Sequence, residues 1–597
     1  MIYGRDETMG SLPARIAMAR YPFAALLKIG KVDYVSAAND AGCVNCHTDP
    51  YLKHGYIYAQ VDGDPTTDFV TCKACHTDNS TGGHYEWQLL VNDPKTAAAY
   101  FEDETVLTDA MKEQYAYKTT LMNDVHMSHA MEFPYPQSMA NCVTCHEGKL
   151  DVVLADANMT MATCKSCHPT DGAVEKKGEE TLYDTTVLAL NTIIPQDIHK
   201  SLDLATVECA SCHKEGGGAR PFNQIHTGYN AAIYATPELK YSDAIKVTID
   251  EATFADNKLN IKFSAAMDPA IEGVKVADIV STVIVNLYGW DTIDFVVSGH
   301  DRPFDDNQDG KVDNKDQRAL EFAVGTEHPR GATISAADGK WEVAVDLAPW
   351  AEKLADGSVQ RVEIGVMSEL LVKEAPVAVN GVTRTFSLKN NAFDDKFYAP
   401  VADANKCNSC HGALATNFHE PSYGGSIVLC RMCHVSKTGG SHLEMQSRSL
   451  DSYVHAIHSG QAFDVKDIDF ANPVEAMHYE HHVGFPYPKH GTDCESCHVP
   501  GKYELHDPSM VLPSLLSPSA VNETRDSKIP EQPAMVVGEG VRVCGSCHKT
   551  AAINEDSALD FALFQKHVEQ YSYMIPGGEK PADTLAAVIQ KFVELFK

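Results

Sequence analysis

The chemistry in this chain is concentrated in its cysteines. All 18 fall in nine Cys-x-x-Cys-His units. Five come early: Cys43, Cys46 and His47; Cys72, Cys75 and His76; Cys142, Cys145 and His146; Cys164, Cys167 and His168; Cys209, Cys212 and His213. Four follow a long gap: Cys407, Cys410 and His411; Cys430, Cys433 and His434; Cys494, Cys497 and His498; Cys544, Cys547 and His548. Two thiols spaced i, i+3 lie on one side of a helical turn. They can form thioethers to the two vinyl groups of one haem, and the adjoining His then reaches the iron as proximal ligand. Half of a zinc site also reads Cys-x-x-Cys. With 27 histidines in 597 residues, nine chance placements of His after such units have a probability on the order of 10⁻¹². A thioredoxin-like pair does not repeat nine times. A disulfide-stapled secreted domain would leave cysteines at other spacings, and none is left. The reading is nine haem c groups.

A low-potential electron carrier takes a second His on each iron, which closes the metal to substrate. Eighteen further histidines are available, and an internal repeat selects among them. Phe133-Pro134-Tyr135-Pro136 precedes Cys142 as Phe485-Pro486-Tyr487-Pro488 precedes Cys494. Upstream, His126 and His129 match His455 and His458, each pair spaced i, i+3 so that one helix can serve two adjacent haems. His54 matches His419, and His226 matches His567. The unit at Cys164 has no counterpart in the second half, and neither has His199, which favours His199 as the ligand of the haem at Cys164. The distal set is then His54, His126, His129, His199 and His226 for five haems, and His419, His455, His458 and His567 for four. His84 and His442 are repeat-matched rivals. His300, His328, His478, His481, His482, His490 and His506 are read as exposed or hydrogen-bonded.

Those ligands need elements to position them. Five units fall within Cys43 to His213, about 34 residues per haem, so the porphyrins must supply the apolar core between short helices and loops. From Lys214 to Lys406 there is no cysteine. There Ile245, Val247 and Ile249, then Leu259, Ile261 and Phe263, then Trp341, Val343, Val345 and Leu347, then Val362, Ile364 and Val366 alternate with other residues. Period two argues half-buried strands, and Asp256-Asn257 and Asp338-Gly339 are turn signals. The fold class expected is multidomain. Two multihaem c-type cytochrome domains of short helices, 31–238 with five haems and 396–597 with four, flank an antiparallel β-sandwich or barrel over 239–395. Residues 1–30 form a separate N-terminal segment. Asp583 would cap a C-terminal helix with Leu585, Val588, Ile589, Phe592 and Phe596 on one face, docked on the protein body. Within the β region, Asp305, Asn307, Asp309, Lys311 (through its carbonyl), Asp313 and Asp316 take the ligand positions of an EF-hand loop, with Gly310 at the sharp turn and Asp replacing the final Glu. Calcium is the expected ion.

Lys plus Arg number 49 against 82 Asp plus Glu, a formal charge of −33. Phosphate binding needs a basic surface, so nucleic acid is not an expected partner. No run of 18 apolar residues appears, so no transmembrane helix is expected. Covalent haem attachment implies export. Met18 to Lys31 is a poor signal peptide, so the signal is expected in a longer gene product.

The order haem cluster, β domain, haem cluster, with a His-x-x-His pair ahead of the Pro-rich lead into Cys-x-x-Cys-His, resembles the outer-membrane decahaem cytochromes of metal-respiring bacteria, the OmcA/MtrC metal-reductase family. The resemblance runs from about Asp33 to about Tyr573. It implies bis-histidine irons, a place at the cell surface or outside it, redox partner proteins including an outer-membrane porin–cytochrome complex, and extracellular acceptors such as ferric minerals, flavins or chelated metals. Two features depart: the first β domain is absent or truncated, and the second cluster has four units rather than five. The function expected is electron transfer along the haems, with terminal metal reduction as an open enzymatic question and no catalytic residue assigned. Two alternatives stand beside it. One is a subunit of a polymeric cytochrome filament; the other is a multihaem reductase with an open haem.

Overall fold

The computed structural model describes residues 29–30, 35–47, 69–73, 76, 89, 93–115, 122–123, 126–127, 136–169, 176–177, 180–181, 188–194, 196–199, 202, 207–416, 419–436, 449–458, 493–516, 535–553, 566–567 and 572–576. The chain divides into two compact units. One is residues 1–230 with two short later pieces, and the other is the remainder. The β region and the second haem cluster thus form one unit, where the sequence reading separates them at residue 395. The apolar C-terminal helix proposed from Asp583 onward and the rival ligands His84 and His442 lie outside the described residues.

In the first unit the described helices are short, and several carry motif residues. Among them are α1 (Asp40–Cys43), α2 (Pro94–Glu102), α3 (Val143–His146) and α4 (Met161–Lys165), of which α1, α3 and α4 hold motif cysteines. Polar side chains start them: Asn39 accepts from Ala41 N at 3.1 Å, Asp93 from Thr96 N at 3.2 Å, and Thr160 from Thr163 N at 3.2 Å. Each satisfies an orphan amide of a first turn. α1 lies directly on α3, with Asn39 N donating to Cys145 O at 2.7 Å. That approach requires glycine: a Cβ on Gly42 would meet Thr144 O at 1.9 Å.

The second unit begins with a β-sandwich. Its first sheet orders β6 (Gly331–Ala337), β7 (Lys340–Asp346), β2 (Lys258–Met267) and β1 (Ile245–Ala255); its second orders β10 (Ala392–Phe393), β9 (Val382–Ser387), β8 (Arg361–Glu369), β3 (Val280–Tyr288) and β4 (Phe295–Val297), with β5 (Glu321–Ala323) also on β3. Every pairing between these strands is antiparallel. The two tight hairpins follow from turn chemistry. Asp256 and Asn257 have φ of 51° and 58°, and Asp338 and Gly339 have 51° and 73°, the paired positive values that match strand twist. Ile245, Val247, Ile249, Leu259, Ile261, Phe263, Trp341, Val343 and Val345 from one sheet meet Val283, Val285, Leu287, Val362, Ile364 and Val366 from the other in a single core.

The half-buried reading fails for β8, whose middle is buried on both faces, as is that of its neighbour β3. The reason is a second layer. α5 (Ala404–His411) and α6 (Ile427–Cys433) carry motif cysteines. Leu429, Met432 and Val435 on and after α6 pack on the outward side chains Ile284, Tyr288 and Met367. Polar contacts fix this packing: Asn286 and Ser298 donate to Met432 O at 2.8 and 2.7 Å, and Arg431 reaches Asp294 at 3.0 Å and Ile293 O at 2.9 Å. Beyond lie α7 (Leu450–His458) and α8 (Glu539–Ile553), joined by the Arg542–Asp451 pair at 2.9 Å.

Candidate haem-binding sites

Each described motif folds the same way locally. The amide of the motif His donates to the carbonyl of the first Cys: His47 at 2.9 Å, His76 at 3.0 Å, His146 at 3.0 Å, His168 at 2.8 Å, His213 at 2.9 Å, His434 at 3.0 Å and His498 at 2.9 Å. One turn therefore places two thiols and an imidazole together, whatever surrounds it.

The rings then come in pairs of one motif His and one other. In the first unit His47 faces His126 with ring centres 6.2 Å apart, His168 faces His226 at 6.1 Å, and His199 faces His213 at 6.3 Å. In the second, His411 faces His458 at 6.2 Å, His419 faces His434 at 6.4 Å, and His455 faces His498 at 6.0 Å. Two imidazoles on opposite sides of one metal, with nitrogens about 2 Å from it, have ring centres roughly 6 Å apart. The donor set and its spacing thus fit an iron between each pair.

Second contacts orient the rings. Nδ1 of His146 lies 2.6 Å from Ala37 O, that of His168 2.8 Å from Leu188 O, and that of His213 2.9 Å from Arg220 O. On the partner side, His126 Nδ1 lies 2.6 Å from Met122 O and His458 Nδ1 2.8 Å from Val454 O. A carbonyl only accepts, so Nδ1 carries the hydrogen and Nε2 keeps the lone pair that a metal needs. Burial holds His126, His226, His419 and His455 below the usual imidazole range, in the neutral ligand form.

Apolar side chains stand exposed beside these rings. Leu188 is 61% and Ile198 69% exposed, next to the carbonyl that holds His168 and to His199 itself. That is surface a porphyrin would cover, since exposed apolar groups clustered at a site mark a binding surface.

The pairing differs from the coordination arithmetic at one point. The structure sets His226, not His199, against the unit at Cys164, and His199 against the unit at Cys209. Counting missing partners locates a ligand in the chain but not in space. The repeat is also not copied in register: His126 faces the first unit, whereas its counterpart His455 faces the eighth and His458 the sixth. Nothing in the described residues explains that exchange. His54 and His129 lie outside the described residues, as does the His548 side chain, while His567 is exposed. Of the remaining histidines, His300 bonds Glu321 at 2.7 Å, His328 bonds Arg318 O at 2.9 Å, and His506 bonds Glu539 at 2.7 Å.

Neighbouring motifs touch. Asn39 N, just ahead of Cys43, donates to Cys145 O at 2.7 Å, and Asp403 N, just ahead of Cys407, donates to Cys497 O at 2.9 Å. Burial pushes the Cys167 thiol up to about 11 with Cys142 adding to it, and burial does the same for Cys164 with Cys209 adding. Cys430 lies close enough to Cys407 to act on it in turn. The first and third units are thus joined in one compact unit, and the sixth and eighth in the other.

The acidic loop is also ordered. Asp305 accepts from Asp309 N at 3.1 Å and Gly310 N at 2.9 Å, Asn307 from Asp309 N at 2.9 Å, Asp309 from Lys311 N at 3.0 Å, and Asp313 from Lys315 N at 2.8 Å. The Asp316 carboxylate accepts from the amides of Asp306, Asn307 and Asp313 at 3.0, 3.3 and 2.8 Å, which lowers its pKa. Gly310 turns the loop at φ 85°.

Short motif helices and an antiparallel sandwich, with motif histidines paired ring to ring, define a multihaem c-type cytochrome. A family described as outer membrane cytochrome MtrC/MtrF-like, domains II/IV, matches residues 35–227 and 400–574, more than half the chain. The chain belongs to this family of outer-membrane, haem c-binding electron-transfer proteins. Solved structures resemble it at low identity. MtrC from Shewanella baltica OS185 matches at 14% identity and TM-score 0.47, over 89% of this chain and 70% of its own. The outer membrane decaheme cytochrome OmcA matches at 14% and 0.48, over 94% and 72%. No curated protein sequence matches. Among the described residues, no helix is long and apolar enough to cross a membrane.

Proposed function

We propose that the chain carries electrons along nine bis-histidine haems to acceptors outside the cell: ferric minerals, flavins or chelated metals. The six motif-to-partner ring pairs at 6.0 to 6.4 Å carry this reading. Haem held by these motifs would supply the one-electron couple, and a pair of imidazoles on its iron would leave no position open to substrate. The chain's residues do the rest. Motif thiols fix each group, Nδ1–H bonds to carbonyls orient the ligands, and contacts between motifs hold neighbouring groups close. His54, His129 and His567 complete the distal set by the repeat. A surface location and redox partners, including an outer-membrane porin–cytochrome complex, accompany this reading. So does a calcium ion held by Asp305, Asn307, Asp309, Lys311 O, Asp313 and Asp316, for which the ordered loop gives support.

The test is stopped-flow oxidation of the reduced protein by ferric oxide, by flavin and by a soluble ferric chelate. Reoxidation by at least one supports an extracellular reductase. If none reacts, the protein passes electrons only to other proteins.

A further inference from the structure

The outward face of β8 carries a buried acid. Glu363 is 2% exposed and makes no ion pair among the described residues. Its Oε2 accepts from Tyr288 Oη at 2.9 Å and from Thr385 Oγ1 at 2.6 Å. Burying a carboxylate on hydroxyl donors alone is costly, and such a group tends to keep its proton. Its surroundings are not inert. Glu363 stands opposite Asn286 in the β3–β8 register, and Asn286 donates to the carbonyl of Met432, inside the Cys430–His434 motif. Tyr288 packs in the same cluster as Met432, Val435 and Cys433.

We infer that Glu363 is a redox-linked proton site for the haem held by Cys430 and Cys433. When the ferric iron gains an electron from a neighbouring haem, the Glu363 carboxylate takes up one proton from solvent to become the carboxylic acid; reoxidation releases both. The inference rests on the haem assignment above. The groups facing Glu363 are Tyr288 from β3, Thr383 and Thr385 from β9, and Arg431 from α6, which is itself tied to Asp294 and Tyr398. Of these, only Arg431 is a cation near Glu363, and Asp294 already occupies it. Burial pushes Glu363 up to about 7, against the pull of the Thr385 and Tyr288 hydrogen bonds, so its proton is available near neutral pH. One charge added within a low-dielectric cluster changes the proton affinity of a neighbour, and linkage makes the effect reciprocal.

The experiment is reduced-minus-oxidised infrared difference spectroscopy of the haem-loaded protein, with potentiometric titration at several pH values. A carboxylic C=O band is expected on reduction at neutral pH and is absent in Glu363→Gln. At pH 8 this variant raises the potential of one haem, because a negative charge is gone; at pH 5 it does not, because Glu363 is then neutral. Thr385→Val, which removes a donor to the carboxylate, moves the band's midpoint to higher pH and covers the case in which Glu363→Gln does not fold. A band unchanged in Glu363→Gln, or an unchanged midpoint in Thr385→Val, overturns the inference. Glu321→Gln is the control carboxyl. A band lost there assigns the proton to the His300–Glu321–Arg318 group and also overturns it. Haem stoichiometry distinguishes failure of the underlying assignment: Cys430→Ala with Cys433→Ala must remove one haem of nine.

Discussion

The β-sandwich and the first haem unit are opposite solutions to building a core. In the sandwich, Leu259, Ile261, Val283, Val285, Val345, Val362, Ile364 and Phe386 are completely or almost completely buried, and side chains fill the space between sheets. In the first unit, helical segments of three to five residues carry the motifs and Leu188, Ile198 and Leu202 stand exposed. The comparison teaches that one region takes its apolar core from sequence and the other from its cofactor.

The largest expected effect breaks the comparison by withholding haem. In protein made without haem attachment, limited proteolysis should cut the first unit rapidly while the stretch 239–395 persists, because the core between its sheets is supplied almost wholly by its own residues. Equal cleavage of both would show that the sandwich also depends on haem. Next, Ile364→Ala in the sandwich core should cost about 2 to 5 kcal/mol in denaturant unfolding, with the haem absorption of the folded protein unchanged.

A pH series sharpens the boundary between the two regions. Glu363 is pushed from an ordinary 4.5 up to about 7. A raised acid contributes stability that is present below pH 4.5 and is lost as pH rises through about 7. Glu363→Gln should therefore gain stability over the wild type across that window, by roughly 3 kcal/mol at its upper end. A difference between the two that does not change with pH contradicts this. The smallest effect is at the acidic loop. Calcium should raise the unfolding temperature of the second unit by a few degrees through mass action, and Asp316→Ala should abolish the rise.

What the sequence reveals follows the same division. The Cys-x-x-Cys-His turn is local, so nine units can be read directly. The alternation at Ile245 to Ile249 and the Asp256-Asn257 and Asp338-Gly339 turns are equally local, and the structure has those strands and hairpins. The pairing of His226 with His168 and of His199 with His213 is not local. It depends on how loops fold back, which repeat counting cannot supply. Glu363 was likewise hidden. Period two assigns it to a wet face, and only the packing of α6 on β3 and β8 buries it. Its one sequence signal is an acid among near-continuous apolar residues from Val362 to Met367.

Partner assignment can be broken directly. His226→Ala should open the haem at Cys164, and His199→Ala the haem at Cys209. Each reduced variant should bind carbon monoxide at one haem. Adding Cys164→Ala and Cys167→Ala should abolish binding in the first variant and leave it in the second; the reverse result would restore the pairing favoured by arithmetic.

The central claim is that each motif His shares one iron with a second His. Near-infrared magnetic circular dichroism of the oxidised protein, scaled to its haem count, tests it most directly. The account predicts nine low-spin haems, all with the bis-histidine signature. A high-spin haem, a His–Met signature, or fewer than nine haems would contradict it.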